Sequence, residues 1–240
     1  VIGLLQGELI KLRTTRTAIG FAICGMGLVV LTLLLLILVG EPTSTEDKLT
    51  AIAVAGPIVF LLCIFGAVGA TGEHRHGTIT AALLIAPGRV GVTVAKLIAY
   101  AAAGALFGLL LQVVALVVGL PLMSGDAGAN PGAGDLLALT AGCVAACALM
   151  TAFGVAIGSL VRSQVGTVVG LLVYFFIAEP LLGIAWHGFD VAGLSAAANA
   201  LTGADQNAEL SPGVAGLVLL GWTVIAGAVA VLADRSRDVN

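Results

Sequence analysis

Glu179 is the one acidic residue placed deep in an apolar run, and Pro180 follows it at once. Counted from Val165 at 1.5 Å per residue, it lies roughly 21 Å along a helix. An ionised group costs about 2.5–3.5 kcal/mol at a bilayer centre and less near an interface, so it faces a cavity or a polar partner. Two readings stay open: a contact lining a transport pathway or gate, or an interfacial carboxyl hydrated through a crevice at a Pro180 kink. Gln112 is the other polar side chain deep in an apolar run. A hydrogen bond between helices, worth about 0.6–2 kcal/mol, suits it better than substrate contact. With Phe175 and Phe176, from the aromatic group in the later helices, these two make up the candidate pathway residues.

Bond-making chemistry has little to stand on. There is no Gly-x-Ser-x-Gly elbow, no His-Glu-x-x-His zinc helix and no Gly-x-x-x-x-Gly-Lys-Ser/Thr loop. None of Lys11, Lys48 and Lys96 follows a glycine, so the chain does not bind ATP through a phosphate loop. His74 and His76 flank Arg75 in a segment that reads as solvated or partner-facing before it reads as a metal site. Cys143 and Cys147 are four apart but have no His or acid nearby to complete a metal site. All four cysteines sit in apolar runs as small hydrophobes. His187 beside Trp186 reads as an interface anchor.

The elements that position these residues are membrane helices. The chain is 60% hydrophobic and 10% charged, with mean hydropathy +1.15, too apolar to cover a soluble globule. Spanning about 30 Å of hydrocarbon takes roughly 20 apolar residues as helix, and continuous rather than alternating runs exclude a barrel. Six spans are expected at about 18–39, 49–70, 92–119, 136–161, 165–186 and 212–233, forming one all-α membrane domain over 1–240 with no room for a soluble one. Residues 2–17 carry Ile2, Leu5, Leu9 and Leu12 at spacings of three and four beside Lys11, Arg13 and Arg16, the pattern of an interfacial helix. No secretory leader pattern is expected at the start. Pro57 is expected to kink the second span, Thr43–Lys48 to form a polar loop before it, and 191–201, too short to cross, to dip back or lie flat. Gly104 with Gly108, Gly154 with Gly158, and Gly166 with Gly170 permit close helix contact.

Charge sets the orientation. On this topology nine of the ten Lys and Arg residues fall on one side, with Lys48 alone on the other, while eight of the thirteen acids take the opposite face. Short loops rich in Lys and Arg stay in the cytoplasm, so both termini are expected there. The basic inner face suits anionic lipid or an acidic partner, and nothing points to nucleic acid.

Glu8-Leu-Ile-Lys11-Leu-Arg13-Thr-Thr-Arg16, then Gly72-Glu73-His74-Arg75-His76-Gly77-Thr78-Ile79, Ala86-Pro87-Gly88-Arg89 and Val94-Ala95-Lys96-Leu97 follow one another at defined places among the spans. In this the chain resembles the membrane subunits of type-2 ABC exporters over nearly its whole length. The resemblance implies a permease of the cell membrane without ATPase activity of its own. Residues 2–17 would be the elbow helix, 73–87 the coupling segment, and 191–201 the re-entrant piece before the last span. It implies two further partners: a separate ATP-binding cassette subunit holding ATP and Mg, and a second, identical permease copy. Glu73, His74, Arg75, Gly77 and Thr78 would touch the ATPase, with Arg89 steadying the turn. The permease itself would need no cofactor and no metal.

Two other readings remain. An ion-coupled secondary transporter could use Glu179 as carrier, but the sequence shows neither internal repeats nor broken helices. A permease-like protein could also serve regulation or immunity without pumping. The short aromatic list, 5% of the chain, points away from sugar polymers and toward a hydrophobic drug, lipid or peptide. Topology is testable directly. With the four native cysteines replaced, Gly77→Cys and Thr78→Cys should react with an impermeant maleimide only from the cytoplasmic side; labelling from outside intact cells overturns the orientation.

Overall fold

The computed structural model describes residues 7–8, 15–40, 44–53, 56–75, 89–123, 130–205 and 207–236. Regular structure among them is entirely helical. In chain order the helices are α1 (Arg16–Gly40), α2 (Thr45–Ile52), α3 (Gly56–Arg75), α4 (Arg89–Leu122), α5 (Ala133–Val161), α6 (Gln164–Val173), α7 (Glu179–Ala185), α8 (His187–Ala192), α9 (Leu194–Thr202) and α10 (Pro212–Ser236). A π-helical turn, Tyr174–Ala178, joins α6 to α7. Five stretches are long and apolar enough to cross a membrane: Arg16–Val39, Val90–Leu122, Ala133–Val161, Gln164–Ala185 and Pro212–Ala233. They coincide with five of the six expected spans to within a few residues. At 34 residues, α4 is about 51 Å long and exceeds the hydrocarbon thickness.

The expected second span, 49–70, is divided. Helix α2 stops at Ile52, where Ala53 leaves helical geometry with φ −60° and ψ 135°. Helix α3 opens at Gly56 with Pro57 in its first turn. A proline there lacks only an N–H that has no partner at a helix start, so Pro57 begins a helix instead of kinking one. Helix α3 is 20 residues, about 30 Å, long, and its described apolar stretch runs from Ile58 to Gly72. The expected polar loop at Thr43–Lys48 is mostly helix, because Ser44 and Asp47 form a reciprocal cap with both bonds at 3.0 Å. Lys48, expected in solvent, lies on the packed face of α2 at 1% exposure, and its ammonium takes no hydrogen bond among the described residues.

Proline also shapes the fifth span. The Pro180 ring would crowd the carbonyl four residues back in a regular helix. The chain widens by one residue instead, and the Glu179 N–H bonds the Tyr174 carbonyl.

Helix α5 is the centre of the bundle, with α3, α4, α9 and α10 packed round it. Lipid offers no hydrophobic drive between helices, so association depends on close fit. A Cβ at Gly66 of α3 would run into the Thr151 carbonyl of α5, and one at Gly154 into the Cys63 carbonyl of α3. At Gly158 it would meet the Ala67 carbonyl at 2.8 Å. Gly104 and Gly108 bring α4 against Thr151 and Cys147 of α5 in the same way, with Cys147 Cβ 2.7 Å from a Cβ at Gly108. Thr151, buried in this contact, spends its hydroxyl on the Cys147 carbonyl at 2.7 Å. The third small-residue pair differs: a Cβ at Gly170 meets nothing within 4 Å, so that face of α6 has no neighbour among the described residues.

Of the expected interfacial helix at 2–17, Gly7 and Glu8 are helical, Thr15 is not, and Arg16 and Thr17 already belong to α1; the rest lies outside the described residues. Helix α3 continues through Glu73, His74 and Arg75, while 76–88, including Gly77 and Thr78, also lie outside them. Packing at α5 sets a clear expectation. Gly154→Leu should lower stability in detergent by about 1–3 kcal/mol through overpacking, read as an earlier thermal transition, while Gly170→Leu should leave it unchanged.

Candidate functional site

Glu179 is buried, and its partners lie on α9. The Ser195 N–H donates to Oε1 at 2.6 Å and the Ser195 hydroxyl to Oε2 at 2.7 Å. The Leu194 N–H also faces the carboxylate. Residue 193, the N-cap of α9, is glycine and offers no side-chain acceptor, so the carboxylate of another helix caps α9. That approach needs glycine at 193, where a Cβ would sit 2.7 Å from Glu179 Oε1. Anions are favoured at a helix N-terminus. Two bonds to a charged acceptor, each worth about 1.5–3 kcal/mol, offset a burial cost of about 2.5–3.5 kcal/mol. The anchored α9 packs closely on the centre: the Leu201 carbonyl occupies the space a Cβ at Gly142 would need. Gly203 ends the helix at φ 72°, a left-handed cap that suits glycine.

Gln112 lies elsewhere. Fully buried, it donates through Nε2 to the Ile52 carbonyl at 3.3 Å, the group freed where α2 stops. The interhelical bond expected from sequence is thus made, and it repairs a break that the sequence did not reveal. Gln112 is not among the residues lining the cavity described next.

Beside α9 is a cavity of about 470 Å³, within the range of drug-sized sites. Five elements build it, with Leu28 from α1, Phe60 and Ile64 from α3, Met150 from α5, Phe175 and Phe176 from the π turn, and Ser195 and Asn199 from α9. Phe60 stands edge-on to Phe175 at 5.0 Å and to Phe176 at 5.5 Å between ring centres. The two phenylalanines expected from sequence therefore meet at a cavity, and Glu179 joins it through Ser195. Phe60, Ser195 and Asn199 were not anticipated. Ser195 and Asn199 stand four apart on one face of an alanine-rich helix, a readable sign of a polar edge, whereas Phe60 has no such mark.

A second hollow, about 340 Å³, lies on the other flank of α9 and is lined by Asp190, Asn199, Asp205, Asn207 and Glu209. His187 Nε2 approaches Glu209 Oε1 at 3.5 Å, with both side chains exposed, a pair worth little in water. Among the described residues no three His, Cys, Asp or Glu side chains come together as a metal site. Glu73, His74 and Arg75 end α3 and Arg89 begins α4.

Long apolar helices packed into one bundle, with a half-open cavity at its side, make this a multi-pass membrane protein. The model of the family described as ABC-2 family transporter protein matches residues 4–178, and the chain belongs to that family. Permeases of this family normally pair with an ATP-binding cassette subunit and are generally not enzymes themselves. No curated protein matches the chain.

The carboxylate bridge gives an ordered series. Thermal stability in detergent should fall most in Glu179→Ala, by about 1–3 kcal/mol, less in Glu179→Gln, and least in Ser195→Ala, which keeps the backbone bond. Equal stability of Glu179→Ala and the native chain would remove the carboxylate from the anchoring of α9.

Proposed function

We propose that this permease forms the translocation route of an ATP-driven exporter, with two identical copies facing one another and a separate ATPase subunit docked on each. The observation that carries the proposal is the family match over residues 4–178, a span that takes in the segment between α3 and α4. In this reading α2 and α3 together make one crossing, giving six, with both termini and the 73–87 segment in the cytoplasm and 2–17 as the elbow. Glu73, His74, Arg75, Gly77 and Thr78 meet the ATPase, and Arg89 holds the turn. ATP and Mg belong to that partner; this chain needs no cofactor. The cavity bounded by Phe60, Phe175 and Phe176 is the part of the route nearest the bundle core, and Glu179 serves it by fixing α9.

Support for a second copy comes from α6. Its face carrying Gly170 has open space around it, and Val165, Val169, Phe176 and Ile177 are exposed along the same crossing. Lipid covers what the second copy does not.

One observation favours the ion-coupled alternative: the division of α2 from α3 is a broken helix of the kind found at transporter ion sites. The two readings separate by co-purification and vesicle transport. Glu73→Ala with Arg75→Ala should abolish recovery of an ATPase subunit while leaving the permease folded. Uptake driven by a proton gradient in vesicles holding this chain alone would favour the alternative.

A further inference from the structure

A single short helix parts the apolar cavity from the polar hollow. Helix α9 shows Ser195, Ala198 and Asn199 to the first and Ala196, Asn199 and Ala200 to the second, so Asn199 borders both. The two sides differ in character. The cavity is walled by carbon, with the Phe60 ring set against two others and polar groups only at the α9 edge. The hollow is walled by three carboxylates and two asparagines. Among the described residues no Lys or Arg lines either one.

Both sides select the same sign of charge by different physics. Aromatic faces attract cations through their quadrupole, most strongly out of water. Carboxylates lining a concave surface concentrate cations and repel anions. The polar atoms of Ser195 at the cavity edge are also committed to an acid, Glu179. An anion would be opposed at each stage, and a neutral apolar molecule would gain nothing on the second flank of α9.

We infer that the molecule carried is a lipophilic cation, its carbon body held in the aromatic cavity and its charge drawn past Asn199 toward the acidic hollow. The cavity holds the ligand and the acids set the sign of its charge. The inference rests on the cavity being part of the route proposed above.

Tetraphenylphosphonium and tetraphenylborate share shape and size and differ in sign, which makes them the probes. The full chain in nanodiscs of zwitterionic lipid is titrated with each, and binding is read from tryptophan fluorescence; Trp222 bonds the Ala192 carbonyl at 3.0 Å and so reports from beside α9. The two ions partition differently into lipid, so the quantity compared is the ratio of their affinities between native chain and variant. In Asp190→Asn/Asp205→Asn/Glu209→Gln the preference for the cation should fall at least tenfold. Asn207→Lys, which adds a positive charge without removing an acid, should shift the ratio the same way. Phe60→Ala should weaken both ions. A ratio unmoved by either charge variant overturns the inference and leaves the cavity reading standing. Binding of both ions that is indifferent to Phe60→Ala and Asn199→Leu overturns the cavity itself, and the inference with it.

Discussion

Hydrocarbon accepts no hydrogen bonds, so every backbone group within the bundle must find its partner in the protein. Each departure from regular helix here is matched by a local repair. Where α2 stops, Gln112 reaches across from α4 to the Ile52 carbonyl. Where Pro180 interrupts the Gln164–Ala185 crossing, the ladder shifts by one residue and the Glu179 N–H takes the Tyr174 carbonyl. Where α9 begins without a capping side chain, Glu179 supplies the acceptor, and Trp222 bonds the Ala192 carbonyl just before it. Gln112 and Glu179 each answer one of these irregularities. Two of these irregularities, the π turn and the start of α9, lie beside the cavity, and the break after α2 lies apart from it.

The same constraint explains why the centre is built from glycine. Lipid is as apolar as leucine, so helices gain little by hiding leucine from it and much by approaching closely. Helix α5 gives up side-chain volume at Gly142, Gly154 and Gly158, and α3 and α4 do so at Gly66, Gly104 and Gly108. The bulky apolar residues are displaced outward, as the exposure of Leu38, Ile184 and Leu217 shows. In a soluble protein such residues would form the core; here they meet lipid.

That inversion also decides how much could be read from the sequence. Long apolar runs announce their helices, and the expected 212–233 and 136–161 match α10 and α5 closely because nothing local competes with length and hydropathy. The division within 49–70 was missed because a proline in an apolar run signals disruption without saying whether it kinks a helix or begins one. Lys48 was placed in water by its charge alone, before a Ser44–Asp47 cap could be seen to carry it into a packed helix. At the site, Glu179 was conspicuous as an acid among apolar neighbours. Its partner was not, since Ser195 is an ordinary residue sixteen positions on, and only the fold brings the two together.

Helices α2 and α3 follow one another in the chain with different moorings. Helix α2 is stapled to α4 by Gln112 and by the fit of Ile52 beside Gly119. Helix α3 is locked to α5 through Gly66 and Gly154. A shift of α3 therefore reaches the aromatic chamber at once, through its own Phe60 and Ile64, and again by way of α5 at Met150, while α2 stays moored to α4.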